Sequence, residues 1–137
     1  MDFEYKIEGD DFTNAGAASS AVKKMLNQVG VRPDIIKRTV VALYEAEVNI
    51  VVHAYRGTIK IDIDEEKIHI RLEDEGPGIP DIDRAMQKGY STATPRVREM
   101  GFGAGMGLPN MKSNADSLVV TSEVGKGTTV EITNYFN

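Results

Sequence analysis

Two stretches, residues 58–64 (Thr58, Ile59, Lys60, Ile61, Asp62, Ile63, Asp64) and 67–74 (Lys67, Ile68, His69, Ile70, Arg71, Leu72, Glu73, Asp74), alternate between apolar and polar side chains with only Glu65 and Glu66 between them. A period of two is that of a β-strand with one dry and one wet face. Two such strands joined so tightly run antiparallel, so the chain must build a sheet that buries one face. Glu-Glu lacks the residues that adopt positive φ in a two-residue primed turn, which leaves a longer or bulged loop open. His69 falls on the polar side and reads as a surface residue.

The remaining segments supply what covers that face. Phe3, Tyr5 and Ile7 alternate with Glu4, Lys6 and Glu8 as a first strand, ended by Gly9-Asp10-Asp11. From Phe12 or Thr13 to Gln28, Val22, Met25 and Leu26 recur at helical spacing, and Gly30 stops the helix. Pro33-Asp34 opens a second helix that is expected to run to about Tyr55, with Gly57 closing it. A short helix is expected over 80–88, an irregular lid candidate carrying Arg96 and Arg98 over 89–101, a third long helix over 105–115, and strands over 117–123 and 128–135 around a Gly-Lys-Gly turn. The expected fold is α/β, a two-layer sandwich whose mixed or antiparallel sheet of about five strands carries helices on one face.

At 137 residues the chain suits one domain, 1–137. Hydrophobic residues at 41% and charged residues at 27% are those of a folded globular protein rather than a disordered one. The net charge is −5 and none of the 16 Lys and Arg forms a run, which argues against a nucleic-acid surface and for a protein partner. With no Cys there is neither a disulfide nor a thiolate metal site. No apolar leader and no run approaching ~20 apolar residues is present, so no membrane association is expected and the chain reads as cytoplasmic.

The second helix is polar where a covering helix should not be. Glu45 and Asn49 are four apart and share one face, flanked by the small Ala42 and Ala46, so that face is a shallow floor carrying a carboxylate and an amide. Two glycine-rich stretches accompany it: Asp74-Glu75-Gly76-Pro77-Gly78-Ile79, and 101–108, which carries Gly101, Gly103, Gly105, Met106, Gly107 and Leu108. Gly76 and Gly78 let another group approach the backbone closely. The string at 101–107 offers N–H groups unshielded by side chains and leads into a helix N-terminus, a plausible seat for phosphates. It is not a dinucleotide fingerprint, because its glycines fall at every second position. Gly125-Lys126-Gly127-Thr128 is not a P-loop, because the preceding glycine spacing is absent and a strand follows.

An Asn-bearing helix, then Asp-x-Gly-x-Gly, then a glycine string before a helix resembles the GHKL (HATPase) superfamily of ATP-binding domains over residues 36–132. That superfamily includes gyrase, Hsp90, histidine kinases, MutL and the anti-sigma-factor serine kinases. The resemblance implies the Bergerat ATP-binding fold with ATP and Mg²⁺ as cofactors. It implies that Asp74 accepts a hydrogen bond from the adenine amino group, that Thr128 lies near the base, and that the string around Gly105 holds the triphosphate. By the same resemblance Asn49 is the protein ligand for Mg²⁺ and Glu45 is the general base. His53, one turn further on, takes a structural or a phosphate-proximal role. Ile79, Met86 and Leu108 are candidate walls of the base pocket, although core packing accounts for them equally.

With no phosphoacceptor His helix, sensor or transducer in the sequence, the resemblance points to the small anti-sigma-factor/serine-threonine kinase branch, with features of both RsbT-like and RsbW-like switch kinases. It implies a serine/threonine protein kinase acting on a STAS-domain protein. Two alternatives stay open: a nucleotide-dependent module that binds a sigma factor or other regulator without phosphotransfer, and a detached histidine-kinase ATP-binding domain. The sequence does not decide whether two copies form a homodimer.

Overall fold

The hairpin forms as the alternation requires. In the computed structural model, which describes residues 1–87 and 107–137, β2 (Arg56–Ile63) pairs antiparallel with β3 (Lys67–Glu75), and Ile59 faces Leu72 while Ile61 faces Ile70. The loop is the short one. Asp64 N–H reaches Lys67 O, and the Asp64 carboxylate accepts from the N–H groups of Glu66 and Lys67 at 2.8 and 2.9 Å. That side chain replaces the glycine chemistry of a primed turn, and neither Glu65 nor Glu66 takes a positive φ.

β1 (Asp2–Glu8), β4 (Ser117–Glu123) and β5 (Gly127–Tyr135) complete a five-stranded sheet of order β1-β2-β3-β5-β4 in which every pairing is antiparallel. Of the two sheet types expected, the antiparallel one is found. Ile59, Ile61, Ile68, Ile70, Leu72, Val130 and Ile132 point inward and are buried, each contributing on the order of 2 kcal/mol of hydrophobic stabilisation. The opposite face is polar: Arg71 pairs with Glu73 and Glu131, and His69 lies 3.4 Å from Glu131, as a surface histidine should.

α2 (Pro33–His53) lies across the inner face against β1, β2, β3 and β5, with α1 (Ala17–Gln28) and α4 (Gly107–Ser113) packed beside it. α1 starts later than its pattern suggests. Phe12–Asn14 is a 3-10 turn, and Gly16 at φ 96 breaks the chain before Ala17. The cause lies on α2. Glu47, fully buried, accepts from the N–H groups of Gly16, Ala18 and Ser19 and from the Ser19 hydroxyl at 2.7–3.2 Å, capping α1 from another helix. At the other end Gly30 (φ 81) donates to Asn27 O and Val31 to Leu26 O, the glycine stop read from the sequence.

α2 ends at His53, two residues short of the expected end, where the turn after β1 meets its C-terminus: Asp10 N–H donates to Val51 O and Gly9 N–H to Tyr55 O. Gly57 is therefore not its stop; it lies in β2, paired with Asp74 and packed under Ile50. The helix expected over 80–88 is a single turn, α3 (Ile82–Ala85), capped by the Asp81 carboxylate on Arg84 N–H. The lid candidate with Arg96 and Arg98, and the start of the third long helix, lie outside the described residues.

Candidate functional site

β3 places the Asp74 carboxylate by register. Ile68, Ile70 and Leu72 face the helices, so Asp74 does too, at the point where the apolar row ends. Its Oδ1 accepts from Thr128 N–H at 3.0 Å. Burial pushes the Asp74 carboxyl above its ordinary 3.8, and the Thr128 N–H only partly offsets this. Thr128 is buried, with its hydroxyl 2.8 Å from that of Ser122; Ser122 Oγ in turn accepts from Ile79 N–H at 2.7 Å and donates to Gly127 O. Asp74, Thr128, Ser122 and Ile79 thus form one polar knot at the ends of β3, β4 and β5. Ser122 escaped the sequence reading, because a serine in an alternating edge strand carries no signal of its own.

Gly76 and Gly78 do allow close approach, and this chain's own backbone is what approaches. A Cβ on Gly76 would lie 3.0 Å from Ala54 Cα, and one on Gly78 (φ 78) would lie 2.5 Å from Glu123 O. Ile79 and Met86 are half-buried against the core, and Leu108 is buried within it.

Glu45 and Asn49 share the face of α2 turned toward α4. A point one Cβ out from Gly107 is 3.7 Å from Glu45 Oε2 and 3.8 Å from Asn49 Oδ1, so the two oxygens converge beside a residue with no side chain. Asn110 Nδ2 donates to Glu45 Oε1 at 3.1 Å. Asn110 also went unread, since only the docking of α4 on α2 makes its amide relevant. Burial pushes the His53 imidazole below its ordinary 6.5, so at neutral pH it brings no positive charge to this face. Gly101, Gly103, Gly105 and Met106 lie outside the described residues. Among the described residues no His, Asp and Glu group has the arrangement of a protein-only metal cage, and no helix is long and apolar enough to cross a membrane.

Fold and site together define a two-layer α/β sandwich whose central helix turns Glu45 and Asn49 toward α4, with Asp74 held near the end of β3. Residues 10–134 match the family described as histidine kinase-like ATPase domain. The chain is 33% identical over 143 aligned positions to the anti-sigma F factor of Clostridium beijerinckii, covering 100% of this chain and 93% of that one. It is 41% identical over 99 residues to the anti-sigma F factor of Thermoanaerobacter sp. (strain X514), covering 69% of this chain and 66% of that protein, just under two thirds of its length. In fold it matches the structure of the RsbU and RsbW domains of Rv1364c from Mycobacterium tuberculosis, with TM-score 0.61 and 16% identity over 96% of this chain and 32% of that one. It also matches the mycobacterial sensor histidine kinase MprB, with TM-score 0.55 and 17% identity over 97% of each. The chain belongs to the histidine kinase-like ATPase (GHKL) family, in its anti-sigma-factor branch.

Proposed function

We propose that this protein is an ATP-dependent regulatory serine/threonine kinase whose acceptor is a STAS-type protein partner. The observation that carries the reading is the convergence of Glu45 Oε2 and Asn49 Oδ1 beside Gly107, and the Asp74 carboxylate held by Thr128 N–H near the end of β3 supports it. Membership of an ATPase family and relatives named as anti-sigma factors support it.

The donor set fits a magnesium nucleotide. Mg²⁺ prefers six oxygens and usually keeps waters and phosphates, so a single neutral amide oxygen, Asn49 Oδ1, suffices on the protein side. When bound, the metal would neutralise phosphate charge during transfer. Asp74 accepts the adenine amino group while Thr128 and Ser122 hold that carboxylate and its surroundings in place. Gly76 and Gly78 shape the floor below the base through their backbone packing, and Leu108 backs the site. Gly101, Gly103, Gly105, Met106 and Gly107 are assigned to the phosphates on the family resemblance of their glycine string alone. Glu45 orients the acceptor hydroxyl and takes its proton; as a carboxylate it is a weak base for an alcohol, so positioning must provide most of its effect.

A concavity of about 480 Å³ lined by Asn14, Ser20, Lys23, Val40 and Tyr44 opens between α1 and α2, a place for a protein partner to rest. The name carried by the relatives favours a second reading, in which nucleotide state gates binding to a sigma factor without transfer.

The test uses γ-labelled MgATP with candidate STAS-domain proteins as acceptors. Acid-stable label on the partner, abolished in Glu45→Ala while nucleotide binding persists, supports the kinase. Regulatory output that survives Glu45→Ala supports the gate. Acid-labile label would instead mean phosphohistidine, as in a detached histidine-kinase domain.

A further inference from the structure

Glu45 is held from the side, and the group that holds it is itself braced. Asn110 Nδ2 donates to Glu45 Oε1 at 3.1 Å across the gap between α4 and α2. One turn along α4, Asn114 Nδ2 donates back to Asn110 O at 2.8 Å. Asn114 O accepts from Asn134 Nδ2 at 3.0 Å, and the same amide donates to Thr39 Oγ1 at 3.0 Å. Asn134 Oδ1 accepts from Asp116 N–H at 2.7 Å. Asn134 and Thr39 are both fully buried. α4 is therefore fastened to α2 at two places, by Asn110 on Glu45 and, through β5, by Asn134 on Thr39. With its backbone fixed in this way, the Asn110 side chain has little freedom to swing off Glu45.

We propose that Asn110 is a positioning residue for phosphotransfer, a step that rests on the kinase reading above. Its amide occupies Glu45 Oε1 and so presents Oε2, the oxygen that faces the Gly107 gap beside Asn49, to the acceptor hydroxyl. In the transfer step the acceptor oxygen forms its bond to the γ-phosphorus as the bond to the ADP oxygen breaks, and the hydroxyl proton passes to Glu45 Oε2. An unrestrained glutamate would spread over several rotamers, and misplacement of a catalytic group by about 1 Å costs on the order of 10²-fold in rate. Loss of a single restraint that leaves the helix in place should cost less. Among the described residues the Asn110 side chain bonds to Glu45 rather than to Asn49 or Asp74, so its loss should leave nucleotide affinity alone.

The experiment compares the full chain with Asn110→Ala and with Asn110→Gln, which keeps an amide donor. Each is given γ-labelled MgATP with a STAS-domain acceptor and, in a parallel arm, with water as acceptor, while MgATP binding is measured by calorimetry. The expected result for Asn110→Ala is a roughly tenfold fall in kcat, unchanged MgATP affinity and an unchanged melting temperature, with part of the rate restored in Asn110→Gln. An unchanged or raised kcat in Asn110→Ala, in a preparation whose wild type is active, overturns the positioning role and leaves the kinase reading intact. A parallel loss of nucleotide affinity overturns it as well, since Asn110 would then be part of the binding floor. Absence of γ-phosphate turnover in the wild type itself overturns the kinase reading and the proposal with it.

Discussion

Asp74→Asn should separate stability from binding in opposite directions. The carboxylate Oδ1 accepts from Thr128 N–H, and an amide oxygen can keep that bond. The amide NH₂ then takes the place of Oδ2 and, in the binding mode proposed above, presents a donor where the adenine amino group also presents one. Losing one charge-assisted hydrogen bond is worth about 1.5–3 kcal/mol, or about 10- to 150-fold in Kd. The fold, in contrast, should gain. Because burial raises the folded-state pKa above 3.8, the stability linked to this group is fully present below 3.8 and is lost as pH rises through the folded pKa. At pH 7 the wild type therefore holds a half-buried charge, partly screened by solvent, at a small net cost that an amide does not carry. Stabilising substitutions at functional sites commonly give about 0.5–2 kcal/mol, roughly 2–8 °C in Tm for a domain of this size. Calorimetric ATP titration and thermal melts of the nucleotide-free protein from pH 7 down to pH 4.5 test both halves. The melting advantage should shrink as the pH falls. A lower Tm at pH 7, an advantage independent of pH, or unchanged ATP affinity would each refute the reasoning.

Three other substitutions probe the frame around the site. In Gly127→Ala the new Cβ would sit 2.0 Å from the Asp74 carbonyl oxygen at φ 153, so a loss of about 3 kcal/mol or more is expected in urea unfolding. Glu47→Ala strands three N–H groups at the start of α1 and the Ser19 hydroxyl, and should likewise cost about 3 kcal/mol or more, read as a lower urea midpoint with an unchanged slope. Among the described residues Gly107→Ala meets nothing closer than 3.7 Å, so its Tm should hold or rise slightly, while MgATP binding weakens about tenfold because the methyl fills the gap between Glu45 Oε2 and Asn49 Oδ1.

Much of the frame is legible in the chain because alternation and helical spacing are local. The pairing of Ile59 with Leu72 and Ile61 with Ile70 follows from two periods of two and a short loop. Gly30 ends α1 as a glycine should. The errors occur where distant segments meet. α1 begins at Ala17 because Glu47, 31 positions from Gly16, supplies its cap, and α2 stops at His53 because the turn at Gly9 and Asp10 meets its end. Glu47 itself, readable in sequence only as a solvated charge, is the fully buried one.

The amino-acid order alone determined a one-faced sheet, a covering helix with Glu45 and Asn49 on one side, and an aspartate at a strand end, since each depends on spacing within a single element. Only the packed chain decided what those groups meet: Asn110 against Glu45, Thr128 against Asp74, and the bare Gly107 between two oxygens. Such contacts join residues tens of positions apart, and their geometry comes from the docking of α4 on α2 and the register of β5 beside β3, which no local pattern encodes.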